Sequence, residues 1–243
     1  MAAALWQWWA HSDAGLVARI ALGAGFFVAL ALWDLKRRGR RARRWREYLF
    51  LLTAVLGAMA YGVVNDQITV TISWEYFYYG KELAGVLGPL APPAGGPLRW
   101  EAAKVGMKAS WTAGLLIGAA MLMANSVKKQ IPFLPIRELY KLLAAILLPT
   151  VALAGLGAAA GRLGWLSGLG DFGILVTYDL WRPVSFMSVW GIHLGASLGA
   201  GLGAAWAAWR IWKRRRANPR QACTGKGSGR AAVVPGSART GRF

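Results

Sequence analysis

Few side chains in this sequence could do chemistry, and His193 stands first among them because it lies inside a long apolar run. A titratable group at membrane depth is costly and points to function by default. Asp66, Glu75, Asp171 and Asp179 are predicted near the same end of the molecule. A histidine with two carboxylates could bind a divalent cation or relay protons. The plainer reading is preferred: a histidine hydrogen-bonded to a backbone carbonyl or a serine on a neighbouring helix. A second group, Asp66 and Gln67 with Glu75 and Tyr76, could form a rim for a polar ligand or ion. Its structural reading is again preferred. Asp66 would end a helix, Gln67 would bond a loop backbone, and Glu75 would pair with Lys81 or Lys104. The candidate site is therefore His193, Asp66, Gln67, Glu75, Tyr76 and Asp171, with His193 as a possible metal ligand. No H-E-x-x-H, nucleophile-elbow or P-loop pattern is present. The balance leans against an enzyme, and no cofactor is implied.

The elements that must position these residues are long and apolar. The chain has 243 residues, 56% hydrophobic, and only 16% charged, where a soluble domain carries about 25%. A spanning helix needs about 20 mostly apolar residues. Five runs approach this: 14–33, 48–64, 100–126, 139–160 and 186–210. The third rests on the helical recurrence of Trp100, Ala103, Met107, Trp111 and Leu115. Pro149 should kink the fourth. The first run has His11 and Asp13 before it and a basic cluster after it, the reverse of a signal peptide. It reads as a retained helix. The expectation is an all-α integral membrane protein with about five transmembrane helices in one domain, 1–212. Outer segments would be 65–99 and 161–185, followed by a disordered basic tail at 213–243.

The charge decides the orientation. Lys and Arg number 29 against 10 Asp and Glu, a net +19. Such an excess suggests nucleic acid until its positions are examined. Of the 29 bases, 22 fall in Lys36–Arg46, Lys128–Lys141 and Arg210–Arg242, which share one side if all five runs span. That side holds 3 acidic residues, and the other side balances at 7 of each sign. The positive-inside bias then puts the N-terminus outside and the C-terminus inside. Lys36, Arg37, Arg38, Arg40, Arg41, Arg43, Arg44 and Arg46, with Lys213, Arg214, Arg215 and Arg216, are expected to face anionic lipid head groups. Nucleic acid is not the expected partner. The lone cysteine, Cys223, excludes a disulfide framework.

In the longer outer segment, Ile68, Val70, Ile72 and Trp74 alternate with Thr69, Thr71 and Ser73. Period two with β-branched residues predicts a short strand, with 174–178 as its best partner. Glu75–Glu82 holds an aromatic cluster that reads as an interfacial belt. Asn65-Asp66-Gln67-Ile68-Thr69-Val70 with Glu75-Tyr76-Phe77 resembles an uncharacterised family of bacterial multi-spanning membrane proteins. These share a D-Q-[IV]-T-V-x-[IL]-S-x-E-Y-F segment directly after a membrane helix. The family usually has Pro before the Glu, where this chain has Trp74. Trp100–Leu115 and Gly191-Ile192-His193 are similar to later helices of the family. The resemblance covers roughly 58–213 and implies a bacterial inner membrane, but no activity.

Gly191, Gly195, Gly199 and Gly203 make a G-x-x-x-G stripe. A packing face within the bundle is preferred over a homodimer seam. The leading functional expectation is a non-enzymatic accessory or permease-like unit acting through its outer face. One alternative is a metal- or proton-dependent membrane enzyme using His193 and outer carboxylates. Another is an interaction protein that recruits lipids, or a partner membrane protein, through its basic face.

Overall fold

A computed structural model describes residues 12–40, 42–88, 96–126, 131–166, 180 and 182–217. The elements are α1 (Asp13–Arg38), α2 (Arg44–Ile72), a π-helical turn (Tyr76–Gly80), α3 (Ala84–Leu87), α4 (Gly96–Ser126), α5 (Ile136–Ala145), α6 (Leu147–Arg162) and α7 (Pro183–Ala217). Four segments are long and apolar enough to cross a membrane: α1, α2, α4, and α5 with α6 taken together. Their 26 to 31 residues correspond to about 39 to 46 Å, against a hydrocarbon core of about 30 Å. α7 is longer, at 35 residues, but is not among these four. Its interior is Gly, Ser, Trp and one His between its apolar residues.

Sequence features set the helix ends. The Ser12 hydroxyl accepts from Gly15 N at 2.9 Å, and Asp13 sits in the first turn of α1. Lys36, Arg37 and Arg38 occupy its last turn. Charges of these signs complement the helix dipole. Gly39 then turns the chain with φ 73°, a conformation that favours glycine. α5 and α6 meet at Ile146, where the Ile146 N–H bonds Leu143 O. Pro149 lies three residues on; it lacks an N–H, and its ring crowds the carbonyl of Ala145. The expected kink is therefore a break in the helix.

The predicted strand is not formed. α2 continues through Ile72, and the described residues contain no strand. Helical backbone satisfies its own hydrogen bonds, whereas a lone strand would need a partner. The threonine hydroxyls bond back into the helix, Thr69 to Asn65 O at 2.9 Å and Thr71 to Ile68 O. This back-bonding accommodates β-branched threonine in a helix. The suggested partner strand at 174–178 lies outside the described residues. Asp66 accordingly sits inside α2 and does not end it.

The bundle is built from two close antiparallel pairs, α2 with α4 and α6 with α7. Glycine makes both possible. A methyl group on Gly62 would overlap Gly106 O, and one on Gly191 would overlap Gly157 O. Gly195, Gly199 and Gly203 likewise meet Leu153, Pro149 and Ile146. The stripe is thus the seam between α6 and α7. Two apolar clusters join the pairs at their ends. One, at the Asp66 end of α2, includes Val70, Phe77, Leu98, Phe186 and Val189. The other, at the Arg44 end of α2, includes Phe50, Met121, Leu139 and Ile211. Leu22, Phe26, Leu148, Leu156 and Leu202 stay exposed, an apolar surface suited to lipid and not to water.

Candidate functional site

α2 and α7 bring Asp66 and His193 together between the two clusters. Asp66 is 3% exposed on α2. His193 reaches towards it from α7, with Nε2 3.8 Å from Asp66 Oδ1. That is beyond hydrogen-bond range. The nitrogen is buried and has no hydrogen-bond partner. An unsatisfied buried group of this kind costs about 1–3 kcal/mol. Asn65 Nδ2 donates to the same Asp66 oxygen at 3.3 Å. The preferred reading for His193, a side chain hydrogen-bonded to a neighbouring helix, is not what the structure shows.

The π-helical turn covers the imidazole. Ser73 Oγ accepts from Tyr76 N at 3.3 Å and starts this turn. The Tyr76 ring stacks on His193 at 4.9 Å between centroids, 12° from parallel. Phe77 meets the same imidazole edge-on at 6.1 Å. Lys81 Nζ lies 5.5 Å from the Tyr76 ring centre, within cation–π range. Its charge acts on both Asp66 and His193. Burial raises the Tyr76 phenol above its ordinary range, with the Asp66 charge adding to it, so the ring stays neutral. Tyr76, Phe77 and Tyr78 are buried. They plug this end of the bundle and are not the lipid-facing belt their composition suggested.

Below these groups lies a cleft of about 430 Å³ between α2, α4, α5, α6 and α7. It follows α2 from Thr53 to Asp66, about 20 Å at 1.5 Å per residue. Its Asp66 end is polar, with Tyr61, Asn65, Asp66, Lys81 and His193. Its middle is small and apolar, with Gly57, Ala58, Ala109, Ala113 and Ala196. At its other end the hydroxyls of Thr53 and Tyr140 stand 3.5 Å apart.

The remaining candidates divide. Tyr76 belongs to the site. Gln67 does not: its Nε2 donates to Arg99 O at 2.9 Å, tying α2 to α4. Glu75 is 1% exposed, and its carboxylate accepts from Arg182 N at 3.2 and 3.4 Å, just ahead of α7. Lys104, one of its two expected partners, pairs instead with Asp13 and Glu101. Asp171 and Asp179 lie outside the described residues. Among the described residues no three His, Cys, Asp or Glu side chains stand close enough to hold a metal ion. Tyr61 and Tyr140 escaped sequence reading, and Lys81 was read only as a partner for Glu75. Lys81 had a weak signal, being a lone cation beside the aromatic cluster.

The basic residues gather at the opposite end, though not all face outward. Lys36, Arg37, Arg38, Arg40, Arg44, Arg46, Lys213 and Arg216 are exposed. Arg41 and the tail from 218 lie outside the described residues, while 213–217 are the last turn of α7. Arg215 corrects the expectation of lipid contact. It is 2% exposed and donates to Ala124 O at 2.8 Å, Ile131 O at 3.0 Å and Pro132 O at 3.2 Å. These carbonyls end α4 and begin the next connection, where helical partners run out. Arg43 and Arg214 are partly buried, Arg43 paired with Glu47 and Arg214 with Glu138 at 3.0 Å.

No family model, curated protein or solved structure matches this chain.

Proposed function

We propose that this chain is a non-enzymatic integral membrane protein, an accessory or permease-like unit, that holds a small amphipathic molecule in the cleft between its two helix pairs. The observation that carries this reading is the meeting of Asp66 and the unpartnered His193 nitrogen at the outer end of an otherwise apolar cleft. A ligand with a hydroxyl, amine or phosphate at one end would satisfy His193, Asp66 and Lys81, and its apolar body would lie along Gly57 and Ala113. Such a division, mostly apolar walls with a few convergent polar groups, is characteristic of small-molecule sites.

In this reading α7 is a fifth span, since it lies along α6 through the full depth of that helix. The outer end is then the Asp13, Asp66 and Pro183 end. The basic end lies in the cytoplasm of a bacterial cell, against anionic lipid head groups of the inner membrane. Of the segment that carries the resemblance, the D-Q-I-T-V residues lie in the last turns of α2 and Tyr76 and Phe77 in the π-turn, so both frame the site.

The test is extraction of bound small molecules from protein purified in mild detergent, followed by mass spectrometry. The parent should carry one species at near-stoichiometric amount. Asp66→Asn with His193→Ala should lose it at normal abundance. Gly57→Phe should lose it too, because Gly57 lines the cleft and a Cβ there meets nothing within 4 Å, leaving the ring to fill the cleft. A parent that carries no such species, or variants that retain it, would overturn the reading. The 3.8 Å pair also favours a second reading, proton-dependent chemistry on the bound molecule. A chemically altered species recovered from the parent and absent from His193→Ala would favour it.

A further inference from the structure

The two helix pairs meet at the apolar clusters near the ends of α2 and leave the cleft between them open along its flank. Thr53 and Gly57 of α2, Ala113 of α4, Ala144 of α5, Leu147 of α6 and Ser197 of α7 line the cleft and are exposed. α2, α4 and α5 with α6 are each long and apolar enough to cross a membrane. Gly57 lies near the middle of α2, so the opening falls at the depth of lipid chains and not of water. At the Asp66 end, by contrast, the buried rings of Tyr76 and Phe77 cover His193.

The charges at that end select the head of a ligand. Among the described residues that line the cleft, the two with a formal charge are Asp66 and Lys81, of opposite sign, and His193 lies beside them. An anionic head would meet the Asp66 carboxylate, and a cationic head would meet Lys81. Like charges repel strongly where the surroundings are poorly polarisable. An uncharged head that both donates and accepts avoids both conflicts. A hydroxyl is the smallest such group. It can donate to the Asp66 carboxylate and accept from Lys81, or from His193 Nε2 when that nitrogen carries the proton, and Nε2 has no other partner. The walls select the body. Gly57, Ala58, Ala109, Ala113 and Ala196 are small and apolar, which leaves room for a slender hydrocarbon. The cleft's length of about 20 Å exceeds the depth of one leaflet's hydrocarbon, about 15 Å.

We propose that the ligand of this cleft is an uncharged long-chain alcohol drawn sideways from the bilayer, with its hydroxyl at Asp66, His193 and Lys81 and its chain along Gly57 and Ala113. This rests on the reading of the cleft as a small-molecule site. It narrows the head group to a hydroxyl and the source to the lipid phase.

The test is photolabelling of the full chain in phosphatidylcholine vesicles. Three probes share one diazirine-bearing alkyl chain and end in a hydroxyl, an amine or a phosphate. Labelled peptides are mapped by mass spectrometry. All three probes should label the lipid-facing surface alike at Leu148 and Leu156, both exposed, and that sets the background. In the cleft, around Gly57 and Ala113, the alcohol should label at least about tenfold more than the amine or the phosphate, given the cost of like charges brought together. Lys81→Gln, a change at an exposed side chain, should raise cleft labelling by the amine and not by the phosphate. Asp66→Asn should raise it for the phosphate and not for the amine. Gly57→Phe should abolish cleft labelling by all three. Equal cleft labelling by the three probes in the parent would overturn the head group, as would an unchanged order of probes in Lys81→Gln. Cleft labelling that survives Gly57→Phe would overturn the placement of the chain. If no probe labels the cleft while the purified protein yields a water-soluble bound species, the lipid route fails and the small-molecule reading stands. If no probe labels the cleft and no species is extracted, both fail.

Discussion

A carboxylate placed just ahead of a helix satisfies N–H groups that have no intrahelical partner. Glu75 does this for α7 across 107 residues of sequence, fully buried. Its loss should therefore show as instability and not as a changed ligand. Glu75→Ala is expected to lower stability by about 1–3 kcal/mol, read as a lower melting temperature in detergent. Unchanged melting would argue that the carboxylate serves something else. Arg215 makes the same point with opposite charge, since three carbonyls depend on it. Arg215→Met should destabilise by about 1–3 kcal/mol. Arg216→Met, exposed and stacked on Trp212, should change stability by no more than about 0.5 kcal/mol. Equal effects for the two arginines would show that position in the basic run does not matter. None of these roles could be read from spacing. Glu75 and Asp66 are both acids in one outer segment, and Arg215 is one of four consecutive bases.

Among the elements, the seam of α6 and α7 is the most constrained. Lipid tails offer no hydrophobic drive between helices, so close backbone approach and dispersion must hold the pair. Gly191→Ala would push a methyl into the Gly157 carbonyl. It should cost about 1–3 kcal/mol through overpacking and lower the yield of folded protein. Gly201→Ala, two residues from Gly199 and Gly203 and so on the opposite face of α7, with open space around it, should be neutral or gain up to about 1 kcal/mol from helix propensity. Thermal unfolding of both variants checks the pair, and a stable Gly191→Ala would break the packing account. The sequence showed the stripe, because small residues every four positions are visible in one dimension. It misread α2 beyond Val64 for a related reason. Alternation from Ile68 to Trp74 is compatible with a strand, but the partner that a strand needs is a tertiary fact.

For the whole molecule, the arrangement of ends is the property to test. The contacts of Arg43 with Ser126, Arg214 with Glu138 and Arg215 with Pro132 gather the three basic segments at one end. In the proposed five-span orientation, that end and Cys223, the one cysteine of the chain, are expected on the cytoplasmic side. A membrane-impermeant maleimide should leave Cys223 unlabelled in intact cells and label it after permeabilisation. In a cysteine-free background, Val86→Cys, 67% exposed on α3, should label in intact cells. Labelling of Cys223 from outside would sink the fifth span, because four crossings would return the chain outside.

Composition and period determined that this is a helical membrane chain with its basic segments on one side. Those properties depend on averages over twenty or more residues, and averages survive ignorance of contacts. Asp66 and His193 were each visible as polar residues in apolar surroundings. Their meeting was decided only by the tertiary structure, since 127 residues separate them and they belong to different helix pairs. The same holds for the cleft. A cleft is space left over when large side chains meet elsewhere, here at the two end clusters, and no local pattern encodes what fails to be filled.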